Sequence, residues 1–214
     1  MSRGAGAGEA RRVSPVRTRV LSGREVLSHG EAIHAVYLDA FGGPPWHEDV
    51  THADAYLSRL ALDADRSGFL AVAAFAGDDG GDGEGEGSGG GKGRMRGFCT
   101  AWTTPSPFPG GRSYPLVAAA LGPRRTADWL CGSQEIDEVA VRAEERGAGL
   151  GAALVGEVTR HAPAGAAWLM TSVGAESAVR FYRRLGWRQV GHPAPGGSGV
   201  AVFLGPDHPA DLTF

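Results

Sequence analysis

The sequence contains little cysteine and no long hydrophobic run. Only two of its 214 residues are cysteines, Cys99 and Cys131, and neither has a second cysteine or a histidine at metal-ligand spacing. We therefore expect two reduced thiols and no metal site. No stretch approaches the ~20 apolar residues that a membrane span requires, and no apolar run of signal-peptide length follows the N-terminus. These absences predict a soluble, cytoplasmic protein with no membrane partner.

The chain also lacks a large net charge of either sign. The formal net charge is -3 at pH 7. Residues 77–93 carry five acids against one lysine, a balance of -4, so the rest of the chain is close to neutral, at about +1. This distribution predicts no nucleic-acid partner. Lys92 is the only lysine, and the use of arginine elsewhere indicates a bacterial gene of high GC content.

The length and composition fit one domain with its own core. We expect a disordered arm over residues 1–17 and a single domain over residues 18–214. Residues 77–93 include ten glycines and are expected to form a flexible loop, because such a segment buries little apolar surface. Residues 104–134 interrupt the strand pattern with proline-containing loops and a short apolar helix. We expect them to form an inserted loop near the substrate site.

The other segments alternate between helical and strand patterns. Helices are predicted after a capping box of Ser28 with Glu31, from Thr51, and over residues 149–161 and 175–185. Strands are predicted over residues 68–76, 95–103, 135–141, 166–173, 187–190 and 200–204. This alternation predicts a mixed α/β sheet.

A glycine-rich turn, RGAGLG over residues 146–151, follows an acidic strand and opens a helix. Its glycines allow the backbone to approach a ligand, and the amides and dipole of the helix start favour an anion. A dinucleotide-binding turn would read G-x-G-x-x-G, with an acidic residue about 20 positions later, and a P-loop would continue with Gly-Lys-Ser or Gly-Lys-Thr. Gly147, Gly149 and Gly151 alternate too tightly for the dinucleotide-binding pattern. The P-loop pattern fails because Gly151 is followed by two alanines. The turn therefore predicts a phosphate site of another type.

Two segments resemble the GCN5-related N-acetyltransferase (GNAT) family. VAVRAEERGAGLGAAL, from Val139, contains the family's pyrophosphate signature of Gln or Arg, two residues, Gly, one residue, and Gly or Ala. SAVRFYRRLGW, from Ser177, matches the second family segment in the expected order. The resemblance extends from residue 135 to about residue 191 and, as a pattern only, over residues 24–103. It implies a mostly antiparallel sheet with a splayed parallel strand pair, flanked by helices.

The resemblance also implies acetyl-coenzyme A (acetyl-CoA) as the donor substrate, without a metal. The loop amides would hold its pyrophosphate, the strand before the loop would pair with its pantetheine arm, and Ser177 could contact the arm or the sulfur. The residues expected to bind the donor are Val139, Ala140, Val141, Arg146, Gly147, Ala148, Gly149, Leu150, Gly151, Ala152 and Ser177.

The expected catalytic residues are an acid and a base. The resemblance places Tyr182 on the tyrosine that protonates the leaving thiolate. Glu135 matches the glutamate base of the histone-modifying branch, and Asp137 matches a second base or water-relay position; a water chain without a dedicated base is the remaining alternative. Strand alternation places Glu135 and Asp137 on one face, and Glu138 on the other, unless a bulge intervenes. Ala175 departs from the asparagine that family members often have there.

The implied reaction is acetyl transfer to a primary amine of a small molecule or peptide, by direct attack in a ternary complex. The alternative is an acyl-CoA-binding sensor that has the fold but no turnover. An aromatic and histidine set is consistent with an apolar amine, although core packing explains it equally well: Trp46, His47, Phe108, Tyr114, Trp129 and His192. A homodimer is compatible with the resemblance, and the sequence leaves the oligomeric state open.

Overall fold

The computed structural model describes residues 17–77, 93–191 and 199–210. In these ranges the chain forms one mixed α/β sheet with helices on both faces, which confirms the fold class predicted from the sequence. Nearly all of the predicted arm, most of segment 77–93, and His192 lie outside the described residues. The strands are β1 (Arg19–Leu21), β2 (Leu70–Phe75), β3 (Met95–Thr103), β4 (Gln134–Val141), β5 (Ala167–Ser172), β6 (Arg188–Gly191) and β7 (Val200–Leu204).

The helices occupy the connections between the strands. A π-helical turn (Thr126–Leu130) continues the fifth helix, and short 3-10 turns precede the sixth helix and β5. The helices are α1 (Gly23–Leu27), α2 (Gly30–Phe41), α3 (Val50–Asp63), α4 (Tyr114–Leu121), α5 (Pro123–Arg125), α6 (Leu150–Arg160) and α7 (Glu176–Arg184). No helix in the described ranges is long and apolar enough to cross a membrane.

Two helix starts differ from the prediction, and two short elements were not predicted. The capping box forms one turn earlier, between Ser22 and Glu25, and begins α1. The Ser28 hydroxyl instead donates to the Glu25 carbonyl, and α2 begins without a side-chain cap. α3 is capped by Asp49 rather than by Thr51. β1 and α1 were missed because they are only three and five residues long, too short for a periodic pattern to emerge.

The sheet has the strand order β1-β2-β3-β4-β5-β7-β6, and every neighbouring pair is antiparallel except β4 and β5. In the described residues this parallel pair holds over three positions, from Gln134 opposite Ala167 to Ile136 opposite Leu169. β4 then runs on to Val141 and β5 to Ser172, each still paired with its antiparallel neighbour. The two strands therefore separate at their carboxyl ends and leave a gap in the middle of the sheet.

Both faces of the sheet are buried, and alternate strand residues point to opposite faces. On β2, Val72 belongs to the core cluster that contains residues of α6 and α7, whereas Ala73 belongs to the cluster beneath α2 and α3. A third cluster packs α4 against β5 and β7 through Tyr114, Trp168 and Val202. The gap between β4 and β5 thus lies in a sheet that is covered by helices on both sides.

Candidate active site

A cavity of about 920 Å³ occupies the region where β4 and β5 separate. Its walls come from β4, the glycine-rich turn, the end of β5 and α7. Eleven of the fourteen residues predicted for the site line it: Asp137, Val139, Val141, Arg146, Gly147, Gly149, Leu150, Gly151, Ala152, Ser177 and Tyr182. The other three, Glu135, Ala140 and Ala148, are not among its lining residues.

The glycine-rich turn has a backbone that only glycine adopts readily. Gly147 and Gly149 have φ angles of 78° and 86°, in the left-handed region, and Gly149 is the N-cap of α6. The first hydrogen bond of α6 runs from Ala153 N–H to the Gly149 carbonyl. Within the described part of the chain, the amides of residues 150–152 therefore have no backbone acceptor, which is the arrangement that binds an anionic oxygen.

Two contacts fix the position of this turn. The Arg146 guanidinium donates from Nη2 to the Ala40 carbonyl at 2.7 Å and from Nε to the Val141 carbonyl at 3.3 Å, which ties the turn to the ends of α2 and β4. A Cβ at Gly151 would lie 3.3 Å from Cζ of Phe181, so the glycine permits the close approach of α6 to α7. The turn is therefore held in place from both sides of the cavity.

A β-bulge places two carboxylates in the cavity. Thr100 of β3 pairs with Glu138 and Ala101 pairs with Ile136, so Asp137 is an extra residue in β4. The predicted alternation is broken at this point, and Asp137 and Glu138 both line the cavity. Their side chains are 12% and 21% exposed. Burial raises the pKa of both groups.

The two carboxylates have different partners. Asp137 lies 3.1 Å from Nη1 of Arg112 and 3.5 Å from Nη2 of Arg59, and these guanidiniums oppose the effect of burial on its pKa. Glu138 lies 4.0 Å from the same Arg59 nitrogen. Burial, and then the neighbouring Asp137 charge, raise the pKa of Glu138 to about 8. Asp137 is thus the paired carboxylate, and Glu138 is the one suited to exchange a proton near neutral pH.

Tyr182 lines the cavity from α7 with 8% of its surface exposed. Its ring packs against Phe181, Trp187 and Phe203, and no described residue accepts a hydrogen bond from its hydroxyl. Burial raises the pKa of this phenol, so it stays protonated. Ser177 is exposed in the first turn of α7, which Ala175 precedes without a side-chain cap.

Part of the chain matches a known protein family. Residues 116–189 match the family model described as an acetyltransferase (GNAT) domain. Over these residues the chain is similar to GNAT acetyltransferases. Its match begins within segment 104–134, which we expected to lie outside the resemblance. No curated protein matches the sequence.

Solved structures have the same fold as this chain at low sequence identity. A histone acetyltransferase HPA2-related protein from Corynebacterium glutamicum superposes with a TM-score of 0.54 at 15% identity, over 92% of this chain and 99% of that one. A GNAT-family acetyltransferase from Desulfovibrio desulfuricans gives 0.51 at 17% identity, over 89% and 96%. NAA60 from Arabidopsis thaliana, in complex with a bisubstrate analogue, gives 0.51 at 16% identity, over 89% and 97%.

Beside the cavity lies an ionic cluster that the sequence did not reveal. Asp63, which is 2% exposed, pairs with Arg59, Arg66 and Arg112. Arg112 comes from segment 104–134, and its guanidinium bridges Asp63 and Asp137 and packs over the ring of Trp102. Segment 104–134 therefore contributes directly to the electrostatics of the site.

Glu135, our first candidate for the base, is 2% exposed and lies in a different environment. Its carboxylate accepts hydrogen bonds from Tyr114 at 2.9 Å, Thr104 at 3.2 Å and Trp102 at 3.3 Å. Burial raises its pKa to about 7. Tyr114 is the first residue of α4, so Glu135 joins the inserted helix to the sheet.

Most of the predicted acceptor set lies elsewhere. Trp46 lines the cavity, whereas Phe108, Tyr114 and Trp129 belong to the α4 core cluster and His47 is exposed. Pro44, Pro45 and Leu116, which we did not predict, line the cavity instead. The described residues contain no group of three or more His, Cys, Asp or Glu side chains that could hold a metal ion.

Proposed function

We propose that this protein transfers an acetyl group from acetyl-CoA to a primary amine by direct attack in a ternary complex. One observation carries the proposal: the anion-binding turn around Gly147 and Gly149 and the carboxylates Asp137 and Glu138 share one cavity, where β4 and β5 separate. The first feature suits a phosphorylated donor, and the second suits a cationic acceptor. The acceptor is a small molecule or a peptide amine, and the reaction would take place in the cytoplasm.

The donor-binding half would use main-chain groups. The amides of residues 147–152 would hold the pyrophosphate, with Arg146 adding positive charge. Beyond Ile136 the edge of β4 that faces β5 has no strand partner in the described residues, so Val139, Ala140 and Val141 could pair with the pantetheine arm as an added strand would. One of their amides would stabilise the negative charge that develops on the thioester oxygen. Acetyl-CoA, when bound, supplies the activated acetyl group.

Glu138 would act as the general base. An ammonium must lose a proton before its nitrogen can attack, and a carboxylate with a pKa near 8 exchanges protons efficiently at neutral pH. Asp137, held by two guanidiniums, would lie beside the incoming ammonium. Glu135 is surrounded by three hydrogen-bond donors and outside the cavity lining, so we assign it a structural role.

Tyr182 would act as the general acid. The nitrogen forms its bond to the acetyl carbon, the carbon–sulfur bond breaks, and the phenol gives its proton to the departing thiolate. Glu138 takes the first ammonium proton and passes it to solvent before the attack, then accepts the second proton that the nitrogen loses as the amide forms. Solvent finally removes that proton from Glu138 and reprotonates Tyr182. Ser177, at the start of α7, could donate a hydrogen bond to the sulfur or to the pantetheine arm.

Release of free thiol from acetyl-CoA, measured with a panel of amines and peptides, tests the proposal. We expect Tyr182→Phe to lower kcat by about 10²-fold, within the range for loss of a general acid. Tyr56→Phe is the matched control: Tyr56 is also buried and bonds to Thr100, but it does not line the cavity. It should lower stability by about 1 kcal/mol and leave kcat unchanged.

Two outcomes would change the assignment. Unchanged turnover of Tyr182→Phe with every amine would remove the acid role from this residue. Binding of acetyl-CoA by the parent protein without turnover of any amine would favour the alternative, an acyl-CoA-binding sensor.

A further inference from the structure

The acceptor end of the cavity has apolar walls from two separate segments. Pro44, Pro45 and Trp46 come from the loop between α2 and α3, and Leu116 comes from α4. The structure describes five exposed large hydrophobic residues, and Leu116, 37% exposed, is the one that lines the cavity. Exposed apolar side chains in a concave site typically contact a ligand's apolar part.

Both segments line the same cavity as the carboxylate pair. Arg112, four residues before Leu116, contacts Asp137 at 3.1 Å. The charge of Glu48, two residues after Trp46, contributes to the raised pKa of Glu138. An amine at Glu138 would therefore have its carbon skeleton between, or against, these apolar residues.

The cavity offers one good position for an ammonium. Among the described residues, Asp137 and Glu138 are the acidic side chains that line it. Asp137 is already paired with Arg112 and Arg59, whereas the ion pair of Glu138 with Arg59 is longer, at 4.0 Å. A second ammonium on the same acceptor would find no further carboxylate among the described lining residues, so it would gain less from the site than the first.

The size of the cavity also limits the acceptor. Its volume of about 920 Å³ is near the upper end of the roughly 300–1,000 Å³ that a single drug-sized ligand occupies. Part of this volume must hold the reactive end of the donor in a ternary complex, so the remainder suits a small molecule better than an extended chain.

From these observations we infer that the acceptor is a small monoamine with an apolar body, bound with its nitrogen at Glu138 and its skeleton against Leu116 and Trp46. The inference rests on the proposed function and narrows its substrate class. It disfavours polyamines, which carry several ammonium groups, and peptides, whose chain must leave the site through a polar path.

Matched amines test this inference by thiol release. Hexylamine and 1,6-diaminohexane have the same carbon chain and differ by one ammonium group; 2-phenylethylamine and a short peptide with N-terminal Phe share an aromatic ring. We expect each monoamine to have a kcat/KM at least tenfold higher than its partner. Leu116→Asp should reduce or reverse the preference for hexylamine over the diamine. Leu62→Asp, at a site that is 77% exposed on α3 and outside the cavity lining, should leave that preference unchanged.

The outcomes separate this inference from the proposed function. Faster turnover of the diamine or of the peptide would overturn the inference and leave acetyl transfer intact. A preference that is the same in Leu116→Asp and in the parent protein would remove Leu116 from the acceptor wall and overturn the inference as stated. If no amine releases thiol although acetyl-CoA binds, the proposed function fails, and the inference fails with it.

Discussion

The two halves of the cavity are built from different parts of the polypeptide. The donor half is a continuous segment that turns main-chain amides toward the cavity, with Gly147 and Gly149 in left-handed conformations. The proposed acceptor half depends on side chains from distant parts of the chain: Asp137 and Glu138 line the cavity, and Arg59, Asp63 and Arg112 form the ionic cluster beside it. The binding of a ligand by main-chain groups depends little on side-chain identity. Selectivity for the acceptor, by contrast, depends on each charged or apolar side chain. Substitutions should therefore affect the two halves in different ways.

The largest effect is expected at the base. Glu138→Gln should lower kcat/KM by about 10²–10⁴-fold and leave acetyl-CoA affinity unchanged. In the parent protein, activity should rise as pH increases through the pKa of Glu138, near 8, because the base works in its deprotonated form. This rise of activity with pH should be absent in Glu138→Gln, and measurements of kcat/KM over a series of pH values would test this.

Glu135→Gln is the matched control for this substitution. Glu135 also has a raised pKa, but it lies outside the cavity lining, so kcat/KM should change by no more than a few-fold. Because the pKa of Glu135 is higher in the folded than in the unfolded chain, the free energy of unfolding should fall as pH rises from about 4.5 to about 7. Urea unfolding should show that slope reduced in Glu135→Gln. Similar losses of activity in both glutamine variants would contradict the assignment of Glu138.

A smaller effect is expected at the arginine that links segment 104–134 to the acceptor half. Arg112→Ala leaves Asp63 and Asp137, both largely buried, with one guanidinium fewer each. Breaking a buried pair lowers the free energy of unfolding by roughly 3–5 kcal/mol. Because the Arg112 side chain is 27% exposed, solvent screening reduces this, and we expect about 2 kcal/mol by urea unfolding.

Arg124→Ala provides the comparison within the same segment. Arg124 is 92% exposed and pairs with Asp128 at 3.5 Å, so its removal should change the free energy of unfolding by less than about 0.5 kcal/mol. Equal effects of the two substitutions would show that the bridge between Asp63 and Asp137 adds nothing to stability.

The smallest effect is expected in the donor half. Gly149→Ala places a Cβ on a left-handed residue, which raises the energy of this backbone by about 1–2 kcal/mol. We expect about tenfold weaker acetyl-CoA binding by calorimetry, since 1.4 kcal/mol corresponds to a factor of ten. Gly156→Ala, in the exposed interior of α6 with free space around it, should leave affinity unchanged and stabilise the helix by about 1 kcal/mol. Equal affinities in both variants would contradict a donor-binding role for the turn.

The difference between the two halves of the cavity also explains which features could be predicted from the sequence. The glycine turn, its helix and the second family segment depend on neighbouring residues, so their patterns are visible in the chain. The bulge at Asp137 depends on the register between β4 and β3, and no pattern within β4 specifies it. Strand alternation alone therefore left Glu138 on the face opposite Asp137 unless a bulge intervened, and Glu135 was our first candidate for the base.

Long-range partners were not predictable for a related reason. Asp63 and Arg112 meet across 49 positions of sequence, as do Arg112 and Asp137 across 25. A lone arginine in a loop resembles any solvated arginine until the fold places a carboxylate beside it. Aromatic residues such as Tyr114 and Trp129 suggested an acceptor site, but they serve the packing of α4, which the sequence does not distinguish.

The separation of β4 from β5 after three paired residues gives the protein two strand edges inside its own sheet. Main-chain groups on those edges must be satisfied by water whenever no ligand lies between them. A ligand that bridges the gap would complete the hydrogen-bond ladder and join the two halves of the sheet into one cooperative unit. Hydrogen exchange in residues 137–141 and 170–172 would then report occupancy of the gap, independently of any chemistry that follows.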